Sequence, residues 1–239
     1  MPNPKKIAIL QSNYIPWKGY FDMINMVDEF ILYDDMQYTT QDWRNRNRIK
    51  TLTGTSWLTI PVRHDSCIQK INESVVSKTN WAMKHWQTIS QTYARAPFFK
   101  IHKNELEEIY RNPCSDHLSL INHQFIKYVC KALGITTKIS WSSDYVLAPG
   151  KTERLAQLIT DAGGKEYLSG PAARAYIVPS ILENAGIKLE WMDYTGYREY
   201  PQLGHARFEH GVTILDLLFN TGEDAPQFMK SFTKRSGLA

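Results

Sequence analysis

Short apolar runs alternate with amphipathic stretches in the first and last parts of the chain. The apolar runs predict strands at residues 6–10, 30–33, 136–141, 167–169 and 187–192. Apolar positions at helical spacing predict helices at residues 20–27, 153–162, 179–185 and 214–219. Strands that alternate with helices favour a parallel sheet with right-handed crossovers. We therefore predict an α/β fold with a mostly parallel, Rossmann-like sheet flanked by helices.

Two excursions interrupt this alternation. Residues 46–50 and 56–62 are expected to pair across Thr53-Gly54 as a β-hairpin. Residues from about 80 to 134 read as a helical insertion, with helices at 81–94, around 106–110 and at 117–133. The polar tail after residue 219 is expected to be loosely held. No linker rich in Pro, Gly or Ser divides the chain, so a single domain over residues 1–239 is predicted.

Composition and charge narrow the class of protein. A hydrophobic content of 43% is ordinary for a globular protein, and a net charge of +4 suits anionic small molecules rather than a dedicated nucleic-acid binder. The three cysteines form neither a CxxC pair nor a disulfide framework, which indicates a reducing compartment. No segment resembles a signal peptide, and no apolar run approaches the ~20 residues of a membrane span. The sequence predicts a cytoplasmic protein without membrane insertion or a nucleic-acid partner.

The densest polar segment, residues 34–50, directly follows the apolar run at 30–33. In open α/β sheets, ligands bind at the carboxyl ends of the strands. Asp34 and Asp35 begin this segment, and only one is expected to face a given cleft because side chains alternate along a strand. Such a carboxylate can deprotonate an amine, hold a sugar hydroxyl or bind Mg²⁺, whereas the structural alternative is a capping Asp. Gln37, Tyr38 and Trp43 favour recognition of a sugar or a base.

Cations alternate with uncharged residues immediately after Trp43. Arg44, Arg46, Arg48 and Lys50 flank Asn45 and its neighbours, so on a strand the four cations would share one face. Guanidinium groups on such a face can bind a pyrophosphate in bidentate fashion. The alternatives are an edge strand protected by charge and a nucleic-acid surface, but the chain shows no second basic stripe.

The loop after the first predicted strand is a second candidate ligand site. Gln11, Asn13, Tyr14 and Trp17 lie in it, and Gly19 allows a close approach of the backbone to a ligand. The structural alternative is a rigid turn with its aromatic rings packed under the helix. The chain contains neither GxGxxG nor GxxxxGK[ST], which excludes the usual dinucleotide and P-loop motifs.

Three further residues complete the candidate set. Ser169 and Gly170 follow a predicted strand and are expected at the same edge of the sheet. His85 lies on the first inserted helix, where it serves either as a second candidate base or as a hydrogen-bonded structural residue. The histidines lack zinc-ligand spacing and no serine or cysteine has a nucleophile motif, so neither a metal site nor covalent catalysis is predicted.

Read together, these motifs resemble the WbqC-like protein family over nearly the whole chain and in order. The segments that carry the resemblance are residues 11–22, 34–38 with 43–50, 57–62, 81–86, 167–170 and 214–220. Many members have His-Gln-Pro-Asn in the first loop, where this chain has Leu10-Gln11-Ser12-Asn13. A catalytic role for a histidine at that position therefore does not transfer to this protein.

The resemblance implies a place in bacterial surface-polysaccharide (O-antigen, lipopolysaccharide) biosynthesis. The expected function is a transferase that N-acylates or N-aminoacylates the amino group of a nucleotide-linked amino sugar. Its donor would be a thioester of coenzyme A or of an acyl or peptidyl carrier protein, with no tightly bound cofactor. The alternative is a non-catalytic module that binds a nucleotide sugar or scaffolds O-antigen assembly.

The predicted topology makes a geometric expectation. Because the carboxyl ends of parallel strands share one edge, the polar residues that follow them should line one cleft. Those residues are Gln11, Asn13, Tyr14, Asp34, Asp35, Ser142, Ser169 and Gly170, with Arg44 and Arg46 at the rim.

Overall fold

The computed structural model describes residues 3–63, 65–77, 80–204 and 207–233. The chain begins with a βαβ unit, in which β1 (Lys6–Leu10) and β2 (Glu29–Leu32) pair in parallel on either side of α1 (Lys18–Asn25). Both strands are apolar on both faces, which is typical of a parallel sheet covered by helices. The two strands confirm the sequence prediction to within one residue at each end.

The predicted hairpin is also present. β3 (Arg46–Thr51) and β4 (Gly54–Thr59) pair antiparallel as a separate two-stranded sheet. β4 ends three residues before the predicted boundary. The Ile60 N–H still donates to the Asn45 carbonyl oxygen at 2.7 Å, but Pro61 has no N–H to continue the pairing.

The helical insertion consists of α2 (Trp81–Tyr93), α3 (Phe99–Arg111) and α4 (Leu118–Leu133). The third of these ends at Gly134, which has the left-handed φ of +67° that glycine adopts without steric cost. The Ile135 N–H then donates to the Cys130 carbonyl oxygen at 2.8 Å, closing the helix end as the sequence predicted.

The β/α alternation resumes with β5 (Lys138–Trp141), α5 (Thr152–Asp161), β6 (Glu166–Ser169), α6 (Pro179–Asn184) and β7 (Lys188–Trp191). The main sheet has the order β5-β2-β1-β6-β7, and all of these pairings are parallel. The molecule is therefore the predicted α/β protein, with a parallel sheet, flanking helices and a hairpin. The chain pairs β2 on one side of β1 and later adds β6 on the other side of β1. The strand order reverses there, so the ligand-binding crevice expected at the carboxyl edge of such a sheet lies between β1 and β6.

Two apolar clusters cover the faces of the sheet. One contains Phe21 and Phe30 and extends into the inserted helices, whereas the other packs Ile7 and Ile31 against α5 and α6. Within the described part of the chain, no helix combines the length and the apolar character needed to cross a bilayer.

The amino end of the sheet is fixed by one buried carboxylate. Glu29 is fully buried and accepts hydrogen bonds from Lys5 Nζ at 2.8 Å, Ser140 Oγ at 2.5 Å and Tyr145 OH at 2.8 Å. Lys138 Nζ lies 3.0 Å from the same carboxylate. Burial opposes ionisation, but these partners, Lys5 foremost, lower the pKa of Glu29 to about 2.

The carboxyl-terminal segment differs from the prediction of a loosely held tail. After α7 (Ile214–Thr221), a 3₁₀ segment (Gly222–Phe228) leads to α8 (Lys230–Thr233). The buried Asp22 carboxylate accepts the backbone N–H groups of Lys230 at 2.9 Å and Ser231 at 2.8 Å. The prediction was wrong as far as residue 233, because a carboxylate on α1 docks the start of α8. Residues 234–239 lie outside the described part.

Candidate functional site

The loops that follow the strands of the main sheet meet at its carboxyl edge. Arg44, in the segment between β2 and the hairpin, bonds to the loop after β1, since Nη1 donates to Asn13 Oδ1 at 2.9 Å and Nη2 donates to Gln11 Oε1 at 3.3 Å. Three residues that the sequence singled out are thus held together by direct hydrogen bonds.

A cavity of about 650 Å³ opens beside these residues. It is lined by Asn13, Pro16, Trp17, Trp43, Asn47, Arg48, Tyr194, Gly196, Tyr197, His210 and Gly211. These residues come from the loop after β1, from the hairpin region and from the segment between β7 and α7. The size suits a sugar or a nucleoside.

The aromatic wall of this cavity is held in place by packing. The Trp17 indole meets the rings of Tyr194 and Tyr197 edge to face, with centroid distances of 5.1 and 5.5 Å. Trp17 also lies directly against Gly19, where any β-carbon would overlap its indole. The glycine is therefore required by the close approach of the indole.

The loop that carries Trp17 is strained. Ile15 has a φ of +36°, which is unfavourable for a β-branched residue. The buried Asn47 side chain compensates by donating to the carbonyl oxygens of Tyr14 at 3.1 Å and Ile15 at 2.9 Å. Strain supported in this way is typical of binding and catalytic loops.

A second hollow of about 370 Å³ adjoins the cavity and shares Trp43 and Arg48 with it. The Arg46 guanidinium carbon lies 4.1 Å from the Trp57 ring centre, and that of Arg48 lies 5.6 Å from it. Both Nε atoms are buried without a hydrogen-bond partner among the described residues. Arg48 has a carboxylate 3.6 Å away on Glu209, whereas Arg46 forms no ion pair with any described carboxylate. The hollow thus presents planar cations beside exposed indoles, and the Asp42 carboxylate also lines it.

The imidazole of His210 is a candidate base in the lining of the main cavity. Its ring packs against Phe208 at a centroid distance of 4.5 Å. Partial burial, and then the charge of Lys18, lower the pKa of His210 below its ordinary value of 6.5. The imidazole is therefore neutral at pH 7 and can accept a proton.

The two candidate carboxylates do not line the cavity. Asp34 is 1% exposed and accepts hydrogen bonds from the Ser12 backbone N–H at 2.7 Å and from Ser119 Oγ at 2.6 Å. Burial raises its pKa, and these hydrogen bonds only partly offset that effect. Asp35 accepts Ser142 Oγ at 2.6 Å and Asn72 Nδ2 at 3.2 Å, on the β2–β5 side of the edge. The structure brings Asp35 and Ser142 together as expected, but away from the β1–β6 crevice.

Tyr14 and His85 form an internal pair beneath the first loop. The Tyr14 hydroxyl lies 2.9 Å from His85 Nδ1 and 2.7 Å from the Tyr110 hydroxyl, and all three residues are buried. Burial lowers the pKa of His85 to about 4, so its imidazole is neutral across the physiological range. Neither residue lines the cavity.

Two of the remaining candidates lie apart from the cavity and two lie beside it. Gln37 donates to the Cys67 carbonyl oxygen, and Tyr38 is buried in the core. Ser169 is buried with its Oγ 3.3 Å from the Tyr167 hydroxyl. Gly170 lies next to the Tyr194 hydroxyl, which is 4.0 Å from where a β-carbon at this glycine would be. Gly170 therefore lies against the cavity wall, and Ser169 immediately precedes it in the chain.

The cations of the hairpin do not all act on one surface. Arg46 and Arg48 stack on the indoles, but Lys50 is 1% exposed and its Nζ donates to the Arg207 carbonyl oxygen. Asn45 Nδ2 donates to the Ile60 carbonyl oxygen at 2.8 Å. Lys50 and Asn45 therefore hold neighbouring chain segments, while the two arginines face the hollow.

The sequence reasoning missed Tyr194, Tyr197 and His210. All three belong to the irregular connection between β7 and α7, which is unusually long for a compact domain. Long connections of this kind are commonly functional, and this one is rich in aromatic residues. Length and aromatic content together were the signal that could have found them. Within the described residues, no group of three or more His, Cys, Asp or Glu side chains is arranged to hold a metal ion, and His64 and His205 lie outside them.

Fold and site together define an open parallel α/β protein with an aromatic and cationic cavity at the carboxyl edge of its sheet. The chain belongs to the WbqC-like protein family, whose sequence model matches residues 11–228. It is similar to the uncharacterized protein Rv1507c of Mycobacterium tuberculosis, with 49% identity over 227 residues, which covers 95% of this chain and 98% of that protein. No solved structure matches the chain.

Proposed function

We propose that this protein is a transferase of surface-polysaccharide biosynthesis that modifies the amino group of a nucleotide-linked amino sugar. The observation that carries the proposal is the pair of adjoining hollows, which join aromatic walls to two stacked guanidinium groups. A nucleotide sugar has the matching parts, because planar and ring groups flank a diphosphate. We assign this ligand to the carboxyl edge of the sheet.

Arg46 and Arg48 supply the charge for the diphosphate. Their guanidinium planes are pre-oriented by Trp57, so they lose little side-chain entropy when they bind phosphate oxygens. Arg46 is the stronger candidate because no described carboxylate lies within ion-pair distance of it, whereas Arg48 lies 3.6 Å from Glu209; the Asp42 carboxylate shares the hollow with both. Arg44 acts indirectly in this scheme, by holding Gln11 and Asn13.

The rings of Trp17, Trp43, Tyr194 and Tyr197 supply the surface for the sugar or the base. Apolar ring faces of this kind bind the C–H faces of sugars and the planes of bases, while Asn13 offers an amide for hydrogen bonding.

The reaction that we assign is acyl or aminoacyl transfer from a thioester of coenzyme A or of a carrier protein. The sugar amine attacks the thioester carbonyl, a C–N bond forms, the C–S bond breaks, and the thiolate leaves. The attacking nitrogen loses a proton, and the neutral His210 imidazole is the acceptor that faces the cavity. Such a direct attack needs no protein nucleophile and no tightly bound cofactor. We place the reaction in the cytoplasm.

A second candidate function is a non-catalytic module that binds a nucleotide sugar or scaffolds polysaccharide assembly. The internal bonding of Asp34, Asp35 and His85 favours it, since these groups are engaged within the protein and do not line the cavity. A binding module needs the aromatic and guanidinium groups but no base.

The test is incubation with a panel of nucleotide-linked amino sugars and acyl or aminoacyl thioesters, read by mass spectrometry. The transferase predicts a product heavier by the acyl group. His210→Gln should reduce turnover by roughly 10²–10⁴-fold, the usual contribution of a general base. His102→Gln, which changes an imidazole on α3 outside the cavity, is the matched control.

The second candidate predicts a different pattern. A nucleotide sugar would then raise the melting temperature while no product forms with any donor. Transfer without any effect of His210→Gln would keep the transferase and reject His210 as the base.

A further inference from the structure

Lys18 is a buried cation next to the cavity. It is the first residue of α1 and directly follows Trp17, yet it is only 2% exposed. Its Nζ lies 4.9 Å from the Tyr197 ring centre, 5.0 Å from that of Tyr200 and 5.8 Å from that of Phe208. It also donates to the Arg198 carbonyl oxygen at 3.0 Å. An ammonium group surrounded by aromatic rings is held by cation–π attraction.

All of these partners belong to one segment, residues 194–204 and 207–211, which we call the wall segment. Tyr197 lines the cavity itself, and Phe208 packs on the ring of His210, which also lines it. The Lys18 ammonium therefore contacts the wall segment on both sides of residues 205–206.

The charges around Lys18 keep it a cation. Asp22 on its own helix, Asp216 on α7 and Glu199 of the wall segment attract it, while His210 and Lys230 of α8 face the same rings. Burial lowers the pKa of Lys18 to about 8 in spite of these carboxylates. At neutral pH the side chain is therefore mostly the ammonium that the rings attract.

We propose that Lys18 is a positioning residue, which holds the wall segment against the loop after β1 and so fixes Tyr197 and His210 at the cavity. The inference rests on the proposed function only in that it takes this cavity as the ligand site. The contacts between Lys18 and the wall segment exist without a ligand. Without the ammonium, the wall segment keeps its apolar packing and the hydrogen bond that the Tyr197 hydroxyl donates to Asp22 of α1 at 2.6 Å, but it loses the cation–π attraction that acts on both of its parts.

Hydrogen exchange of the full chain, read by mass spectrometry on peptides, tests this without any ligand. In Lys18→Met, which keeps the length and loses the charge, exchange in the wall segment should be roughly tenfold faster, as expected for losing a desolvated cation–π contact. Exchange in β1 and β2 should stay unchanged. Lys18→Arg, which keeps the charge, should restore most of the protection. Lys127→Met, on an exposed position of α4, is the control.

Each outcome decides the proposal. Faster exchange confined to the wall segment and restored by arginine supports positioning by the cation. Unchanged exchange in Lys18→Met overturns it, and so does an equal rise in the wall segment and in β1 and β2, which would indicate a general loss of stability. The two proposals can fail separately. If exchange in the wall segment rises as proposed but the transfer assay finds no product, the transferase is refuted and the positioning role of Lys18 is not affected.

Discussion

Replacing Asp34 by alanine should destabilise the protein rather than remove a catalytic group. Asp34 is fully enclosed and joins the loop after β1 to α4, through the Ser12 N–H and the Ser119 hydroxyl. The variant leaves the buried Ser12 N–H without an acceptor and also removes the hydrogen bond from Ser119.

The size of the effect follows from these two bonds. Each hydrogen bond to a charged acceptor contributes about 1.5–3 kcal/mol, so their loss costs roughly 3–6 kcal/mol. Burial of the Asp34 carboxylate is itself unfavourable, as its raised pKa indicates. Removing the carboxylate therefore offsets part of the free energy lost with the two hydrogen bonds. The net decrease in the free energy of unfolding should be about 2–4 kcal/mol.

Urea denaturation followed by circular dichroism at pH 7 measures this quantity. Asp34→Asn keeps the volume and one acceptor, so it should lose less, about 1–2 kcal/mol. A free energy of unfolding within about 0.5 kcal/mol of the wild type for Asp34→Ala would show that Asp34 does not stabilise the loop after β1. A stable Asp34→Asn variant that binds ligand but has lost all turnover would instead identify Asp34 as the base.

Three other changes give definite expectations. Because the pKa of Glu29 is lowered to about 2, its ionised form stabilises the fold above about pH 4.5. This stabilisation is about 2 kcal/mol after allowance for solvent screening of the exposed lysine partners, and it is lost as pH falls through 2. Denaturation from pH 6 to 2 should therefore show a smaller loss for Glu29→Gln than for the wild type; parallel curves would contradict the assignment. Gly134→Ala should cost about 1 kcal/mol, because φ is +67° there and no neighbour obstructs the methyl group; an unchanged urea midpoint would rule out the left-handed cap. Gly19→Ala should displace the Trp17 indole, seen as a shift in tryptophan fluorescence and a loss of about 1–3 kcal/mol, and unchanged emission would place that indole elsewhere.

The sequence predicted the sheet well because its strands are signalled locally. The apolar runs that form β1 and β2 are bounded by polar residues, and this contrast locates the ends of both strands to within one residue. α3 was recognised only around Leu106 and Tyr110, because Phe99 is its one other buried residue, Ile109 is only partly buried, and the remaining positions are polar or exposed. A hydrophobic pattern in the sequence reveals only those turns of a helix whose side chains are buried.

The site was harder to predict because its parts meet only through tertiary contacts. Asn13, Trp17 and Trp43, which the sequence named as candidate substrate-binding residues, line the cavity because they lie at the edge that the topology fixes. The role of Asp34 depends on Ser119, which comes from a helix 85 positions later. The remaining wall of the cavity is formed by the wall segment, which follows β7. No local sequence pattern specifies where that segment packs.

Binding of a nucleotide sugar to Arg46→Gln shows whether the hollow at Trp43 and Trp57 holds the diphosphate. The wild-type protein should bind a nucleoside-diphosphate-linked amino sugar in calorimetric titration. Arg46→Gln should bind it with an affinity lower by about 1.5–3 kcal/mol, a loss of roughly ten- to 150-fold, as expected for losing a charge-assisted hydrogen bond. Arg111→Gln, which removes an exposed guanidinium on α3, should bind like the wild type. An Arg46→Gln affinity equal to that of the wild type would place the ligand outside this hollow and contradict the account.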